Sequence, residues 1–130
     1  LCGKFAGDRS YCTSIYFVLA SVKLSAFHRL KQDQVWHFYA GSPLHIHVIT
    51  PEGQYQRHAL GMELSQQLEP QFVVPAGCWF ASAVTDPESY SLVGCNVATG
   101  FEFADFEMAD RDDLINRYPM YRQIITQLTR

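Results

Sequence analysis

The side chains able to move protons or hold ligands concentrate between Ser25 and His47, in SAFHRLKQDQVWHFYAGSPLHIH. An imidazole titrates near neutrality, so His28 could act as a general base or acid. Residues two apart on a strand share a face. That rule groups Gln34 with Trp36 and Phe38 and turns His37 to the opposite side, as a structural or interface histidine. His45 and His47 also share a face and could chelate a metal. The alternative is that Leu44, Ile46 and Val48 take the core while the two histidines line a solvated or dimer-facing sheet, and the alternation favours it. His58 stands in a hairpin strand with no chemical neighbour in sequence. The acidic run Glu102, Asp105, Glu107 and Asp110 is interleaved with Phe101, Phe103 and Phe106. It reads as a solvated face alternating with a buried one rather than as paired catalytic carboxylates.

Other chemistries are absent from the sequence. There is no Gly-rich phosphate loop, no Gly-x-Ser-x-Gly elbow and no Lys-bearing nucleotide motif. Cys2, Cys12, Cys78 and Cys95 include no Cys-x-x-Cys spacing, which sets aside zinc ribbons and thioredoxin-type centres. Cys78 and Cys95 lie inside apolar runs as small buried hydrophobes, and reduced thiols in a cytoplasmic protein are expected. The net charge is −3 and the Lys and Arg residues are scattered, against a nucleic-acid footprint. No apolar run reaches the ~20 residues of a membrane helix. With 48% hydrophobic and 14% aromatic residues, the 130-residue chain is expected to fold as one domain over residues 1–130.

The elements that must position these side chains are short strands. Tyr11–Ala20, Leu24–Leu30, Gln34–Tyr39, Leu44–Thr50, Gln54–Leu60, Gln71–Val74, Cys78–Val84 and Tyr90–Thr99 are rich in β-branched and aromatic residues. Turn signals separate them, among them Gly41-Ser42-Pro43, Pro51-Glu52-Gly53 and Asp86-Pro87-Glu88-Ser89. Residues 1–10 read as the end of a loop, and Gly61–Pro70 as a loop near a pocket mouth. Strands recurring every ~8 to 12 residues mark a sandwich or barrel. From Gly100 the spacing turns helical, with Phe101, Phe103 and Phe106 placed to close the barrel. Asp110 is the predicted N-cap of a helix over Arg111–Arg117, and Pro119 begins a second short helix.

The strings FHRLKQDQVWHFYAG, VPAGCWFASA and YSLVGCNVATGFEFADFEMADRDDLI resemble the cupin superfamily, in particular a branch known as a domain of unknown function. The likeness runs from about Thr13 to the C-terminus. It implies an all-β double-stranded β-helix, a jelly-roll barrel of the sugar-nucleotide epimerase type, with short C-terminal helices and pairing as a homodimer. Similar proteins carry an upstream His-Pro-Glu-Gly-Gly motif, so the N-terminal segment is expected to be incomplete here. In the first cupin motif His28 takes the second histidine position, Gln34 the glutamate and Gly41 the glycine, while Ala26 stands at the first histidine. In the second motif Pro75 and Gly77 match, and Phe80 replaces the histidine. Of the four usual ligands only His28 remains, so neither a metal at that position nor any other cofactor is expected.

Parity and the cupin register together send His28, Gln34, Trp36, Phe38 and Phe80 into the barrel, with Gln71 near the mouth. Arg29 points outward or to the rim, toward a phosphate or a surface carboxylate. The expected function is small-molecule binding in the barrel, with metal-independent isomerase or epimerase chemistry on a sugar or nucleotide-like ligand. His28 would move the proton, Gln34 hold a hydroxyl or carbonyl, and Trp36 and Phe80 sandwich the ring. The alternatives are a non-catalytic metabolite-binding module and a metal-dependent oxygenase. No nucleic-acid or membrane partner is expected.

Overall fold

The computed structural model describes residues 8–130, so most of the loop expected over residues 1–10, and Cys2 with it, lies outside the described residues. The strands are β1 (Thr13–Ala20), β2 (Ser25–Leu30), β3 (Asp33–Gly41), β4 (Leu44–Ile49), β5 (Tyr55–Leu60), β6 (Gln71–Val74), β7 (Trp79–Val84), β8 (Tyr90–Ala98) and β9 (Phe106–Met108). They form two antiparallel sheets, in the orders β1-β8-β3-β6 and β5-β4-β7-β2-β9. Two short helices follow, α1 (Arg111–Arg117) and α2 (Arg122–Gln127). The expected all-β class with short C-terminal helices is what the chain adopts.

Strand alternation builds the core. Leu44, Ile46 and Val48 on β4 are fully buried between the sheets with Trp36, Phe80 and Val93. Burying an aliphatic side chain of this size stabilises a fold by about 1.5–3 kcal/mol. The opposite parity places Ile49, Trp79 and Ala81, with Phe27, on the outer face of the five-stranded sheet. There Leu114, Ile115 and Ile125 of the helices cover them. The backbone ties this layer down, since Phe27 N–H donates to the Leu128 carbonyl at 2.9 Å and Ala109 N–H to the Phe27 carbonyl at 3.0 Å. Asp110 caps α1 as predicted, its carboxylate accepting the Asp113 N–H at 3.0 Å. Pro119 opens a 3₁₀ turn, Pro119–Tyr121, and α2 starts only after it.

Two stretches differ from expectation. β3 runs on to Gly41 because its register against β8 shifts between Phe38 and Ala40, which keeps the chain paired past Tyr39. Gly41 sits at φ +93°, and a Cβ there would clash with the Tyr90 carbonyl, so this position accepts glycine alone. After Gly100 the expected helical segment is a 3₁₀ turn, Phe103–Asp105, followed by β9 alongside β2. The cause is Asp105, which is not on a solvated face but only 5% exposed. Its carboxylate accepts Arg9 Nη1–H at 2.5 Å and Gln32 Nε2–H at 2.8 Å. Those bonds pin the turn and deliver the next residue, Phe106, into β9.

Candidate functional site

A cavity of about 360 Å³ opens between the sheets near β1 and the segment after Gly100. β1, β8 and β3 supply one wall in two registered rows. Thr13, Val97 and Gln34 form one row, and Ile15 and Cys95 the other, which continues away from the cavity into Trp36. The facing wall comes from β2, through His28 and Leu30, and Phe101 and Phe106 close the end. Ile15 is 56% exposed although it lines the cavity, which marks the mouth.

His28 is held by its neighbours on both sides. Its ring lies 4.2 Å from that of Phe80, its cross-strand partner on β7, and 5.3 Å from that of Phe106. Nδ1 is 2.8 Å from the Ala26 carbonyl oxygen. A carbonyl only accepts, so Nδ1 carries the hydrogen and Nε2 is left as a lone-pair acceptor. Burial lowers the His28 pKa below 6.5, partly offset by the bond to Ala26, and keeps the ring neutral at pH 7. Gln34 is oriented by the same logic. The Trp36 indole N–H can only donate, and it donates to Gln34 Oε1 at 3.1 Å, which leaves the Gln34 amide nitrogen as a donor. Neither His28 Nε2 nor Gln34 Nε2 bonds another group among the described residues. Cys95 and Thr13 complete the polar set: burial pushes the Cys95 thiol up to about 12, so it stays protonated, and the Thr13 hydroxyl oxygen accepts the Phe101 N–H at 3.1 Å.

These donors do not suit the metal that many cupins hold. Gln34 Oε1 is engaged by Trp36, the Cys95 thiol is protonated, and hydrophobic side chains stand at the Ala26 and Phe80 positions. His28 Nε2 alone is a free ligand, against the three or more that a transition metal needs. Among the described residues no group of three His, Cys, Asp or Glu is placed to hold a metal ion.

The other sequence-predicted residues are dispersed. Trp36, Phe38 and Phe80 are 2%, 7% and 1% exposed and fill the core behind the cavity. Trp36 and Phe80 meet edge to face at 85° with centroids 6.4 Å apart, so there is no slot between them and the expected sandwich does not form. Gln71 is exposed on the outer side of β6, because Phe72 and Val74 take the inner parity, and so it does not join the mouth. Arg29 points away from the cavity. Its guanidinium bonds the Glu107 carboxylate at 2.7–2.8 Å and lies 4.5 Å over the Trp79 ring. His45 and His47 lie on the outer face of β4. His47 is buried against Tyr55, with Nδ1 2.7 Å from the hydroxyl, and its ring stands nearly perpendicular to that of His45. Burial, reinforced by His45 and Arg57, lowers its pKa to about 4.

Thr13, Ile15, Cys95, Phe101 and Phe106 line the cavity without having been singled out as ligand contacts. The phenylalanines carried a signal, as expected barrel closers. Inward parity on β1 and β8 was the only trace of the others.

Residues 3–109 match the family described as Cupin superfamily (DUF985). No curated protein matches the chain. Among solved structures, a protein from Shewanella oneidensis is 42% identical, with a TM-score of 0.92, over 97% of this chain and 79% of its own. A hypothetical protein from Leishmania major is 34% identical, with a TM-score of 0.87, over 93% and 77%. A dTDP sugar isomerase from Desulfovibrio desulfuricans, 14% identical with a TM-score of 0.65 over 86% and 73%, shares the fold alone.

Proposed function

The chain belongs to the Cupin superfamily (DUF985), with two antiparallel sheets as its motifs implied, and we propose that it binds a small molecule in the cavity beside His28 without a metal. The observation that carries this reading is a pair of polar atoms without partners among the described residues, His28 Nε2 and the Gln34 amide nitrogen, in an open and otherwise largely apolar cavity. A mostly apolar pocket with a few placed polar groups is the usual composition of such sites. Isomerase or epimerase chemistry is the catalytic form of the proposal. His28 Nε2 takes a proton next to a ligand carbonyl while the Gln34 N–H donates to the carbonyl oxygen. Cys95, on the opposite sheet, returns a proton through its thiol.

Native mass spectrometry of protein purified without chelator tests the binding. An organic mass that is present in the wild type and absent from a folded His28→Ala variant supports it. One metal ion per subunit in place of an organic mass overturns it.

We also infer that two copies associate through the outer face of the four-stranded sheet. Tyr16, Val18 and Tyr39 are 81%, 64% and 51% exposed there. No Asp, Glu, Lys or Arg stands on the registered rows of Val35, Asn96 and Ser14, of His37, Gly94 and Tyr16, or of Leu92 and Val18. A two-fold interface sets a surface against itself, and these rows meet their own copy without like-charge contact, the charge of Asp33 lying at the end of β3 where its carboxylate accepts the Ala76 N–H at 2.7 Å.

A further inference from the structure

Resting on that binding reading, we propose that the ligand is an uncharged, ring-bearing carbonyl compound with its own hydrogen-bond donor, and that anions are excluded. Among the described residues the cavity lining contains no Asp, Glu, Lys or Arg. The nearest charged pairs are already closed. Arg9 and Asp105 are bonded to each other, with side chains 5% and 2% exposed, and Arg29 holds Glu107 on the outer side of β2. A phosphate or carboxylate entering the cavity would leave water for a wall that offers one amide, one hydroxyl, one thiol and a neutral imidazole but, among the described residues, no cation, an unfavourable exchange for an ion. A sugar nucleotide, with its diphosphate, is therefore a poor match.

The same atoms say what the ligand must present. His28 Nε2 accepts and cannot donate, so it requires an N–H or O–H on the ligand. The Gln34 amide nitrogen donates and cannot accept, so it requires an oxygen such as a carbonyl. Both roles are set by partners that cannot reverse, a backbone carbonyl in one case and an indole N–H in the other. Phe101 and Phe106, 6.4 Å apart and inclined at 78°, offer a ring face and a ring edge to a planar molecule. A volume of about 360 Å³ suits one or two rings. Lactams, enols and hydroxy-ketones on an aromatic or alicyclic ring meet all of these conditions.

The test is titration calorimetry with three matched pairs, benzamide with benzoate, 4-hydroxyacetophenone with 4-hydroxybenzoate, and 2-quinolinone with quinoline-2-carboxylate, and with dTDP-glucose beside them. At least one uncharged member should bind, its charged counterpart and dTDP-glucose at least tenfold more weakly. His28→Ala and Gln34→Leu should each weaken the uncharged ligand by roughly tenfold, the loss of one hydrogen bond. An anionic member binding as tightly as its uncharged counterpart, and losing affinity in His28→Ala, would overturn the charge assignment while leaving the binding reading intact. No binding by any of these compounds at millimolar concentration would count against both.

Discussion

A histidine that accepts a hydrogen bond must stay neutral at the working pH, and the packing of His28 between Phe80 and Phe106 secures this. Burial disfavours the imidazolium, so the folded pKa lies below 6.5. Affinity for a ligand held by Nε2 is therefore expected to reach half its high-pH value only below pH 6.5, as the ring protonates. Calorimetry from pH 8 downward checks this, and an affinity already halved at pH 6.5 would contradict it. His47 predicts a second pH effect, this time on stability. Its pKa is 6.5 in the unfolded chain and about 4 in the fold, beside His45, Arg57 and Tyr55. Between those values the unfolded state binds the extra proton, so stability is lost as pH falls from 6.5 toward 4. His47→Asn should flatten that part of a plot of Tm against pH. At this scale the sequence was half legible. His28 and Gln34 stand out because a polar residue at an inward position is conspicuous among apolar ones. Parity also sends Trp36 and Phe80 inward, but it cannot distinguish a ring that fills the core from one that faces a void. Thr13, Ile15 and Cys95 were hidden because their side chains look like ordinary strand residues until the register aligns them.

The elements were the most legible level, and the exceptions have a common cause in long-range contacts. Eight strand stretches follow from alternation and turn chemistry, which act within a few residues. β9 does not, because what holds Phe103–Asp105 in a 3₁₀ turn is Arg9 and Gln32, more than seventy residues away. Burial pushes the Asp105 pKa up, but the bonds from Arg9 and Gln32 and the Arg9 charge outweigh it and hold the carboxyl below its usual value. Asp105→Ala would take the buried carboxylate from Arg9, which keeps its bond to the Gly100 carbonyl, and free the turn that carries Phe106 to the cavity. Breaking a buried pair from one side typically costs about 3–5 kcal/mol, so urea unfolding should show a loss of that order. Asp105→Asn, which can still accept from Gln32, should cost less. Equal losses for the two would mean that the carboxylate charge, rather than the hydrogen bonds, sustains the turn. Ligand affinity should fall in parallel, since Phe106 stacks near His28.

At the scale of the whole molecule the two sheets are treated unequally. The five-stranded sheet is covered by α1 and α2, while the outer face of the four-stranded sheet has no such layer among the described residues. Its strands nevertheless lack the alternation with charged residues by which a solvated face is usually kept apart from other copies. Tyr16 and Tyr39 pack against each other at 5.9 Å across this face, and the Tyr39 ring lies so close over Gly94 that a Cβ there would collide with it. The Tyr39 ring is thus seated against the sheet before any partner arrives, which reduces the side-chain entropy it loses on association. Val18→Lys and Tyr16→Lys each place a cation on the face, and in a two-fold pairing each introduces its own charge twice. Analytical ultracentrifugation should find the wild type as a dimer and the double variant as a monomer. Both side chains are more than half exposed in the single chain, so the double variant should still unfold in one cooperative transition, with an m-value below the dimer's by the interface area no longer buried. A dimer that survives both lysines would move the association to another surface. A wild type that sediments as a monomer at micromolar concentration would leave this aromatic face without a second copy to cover it.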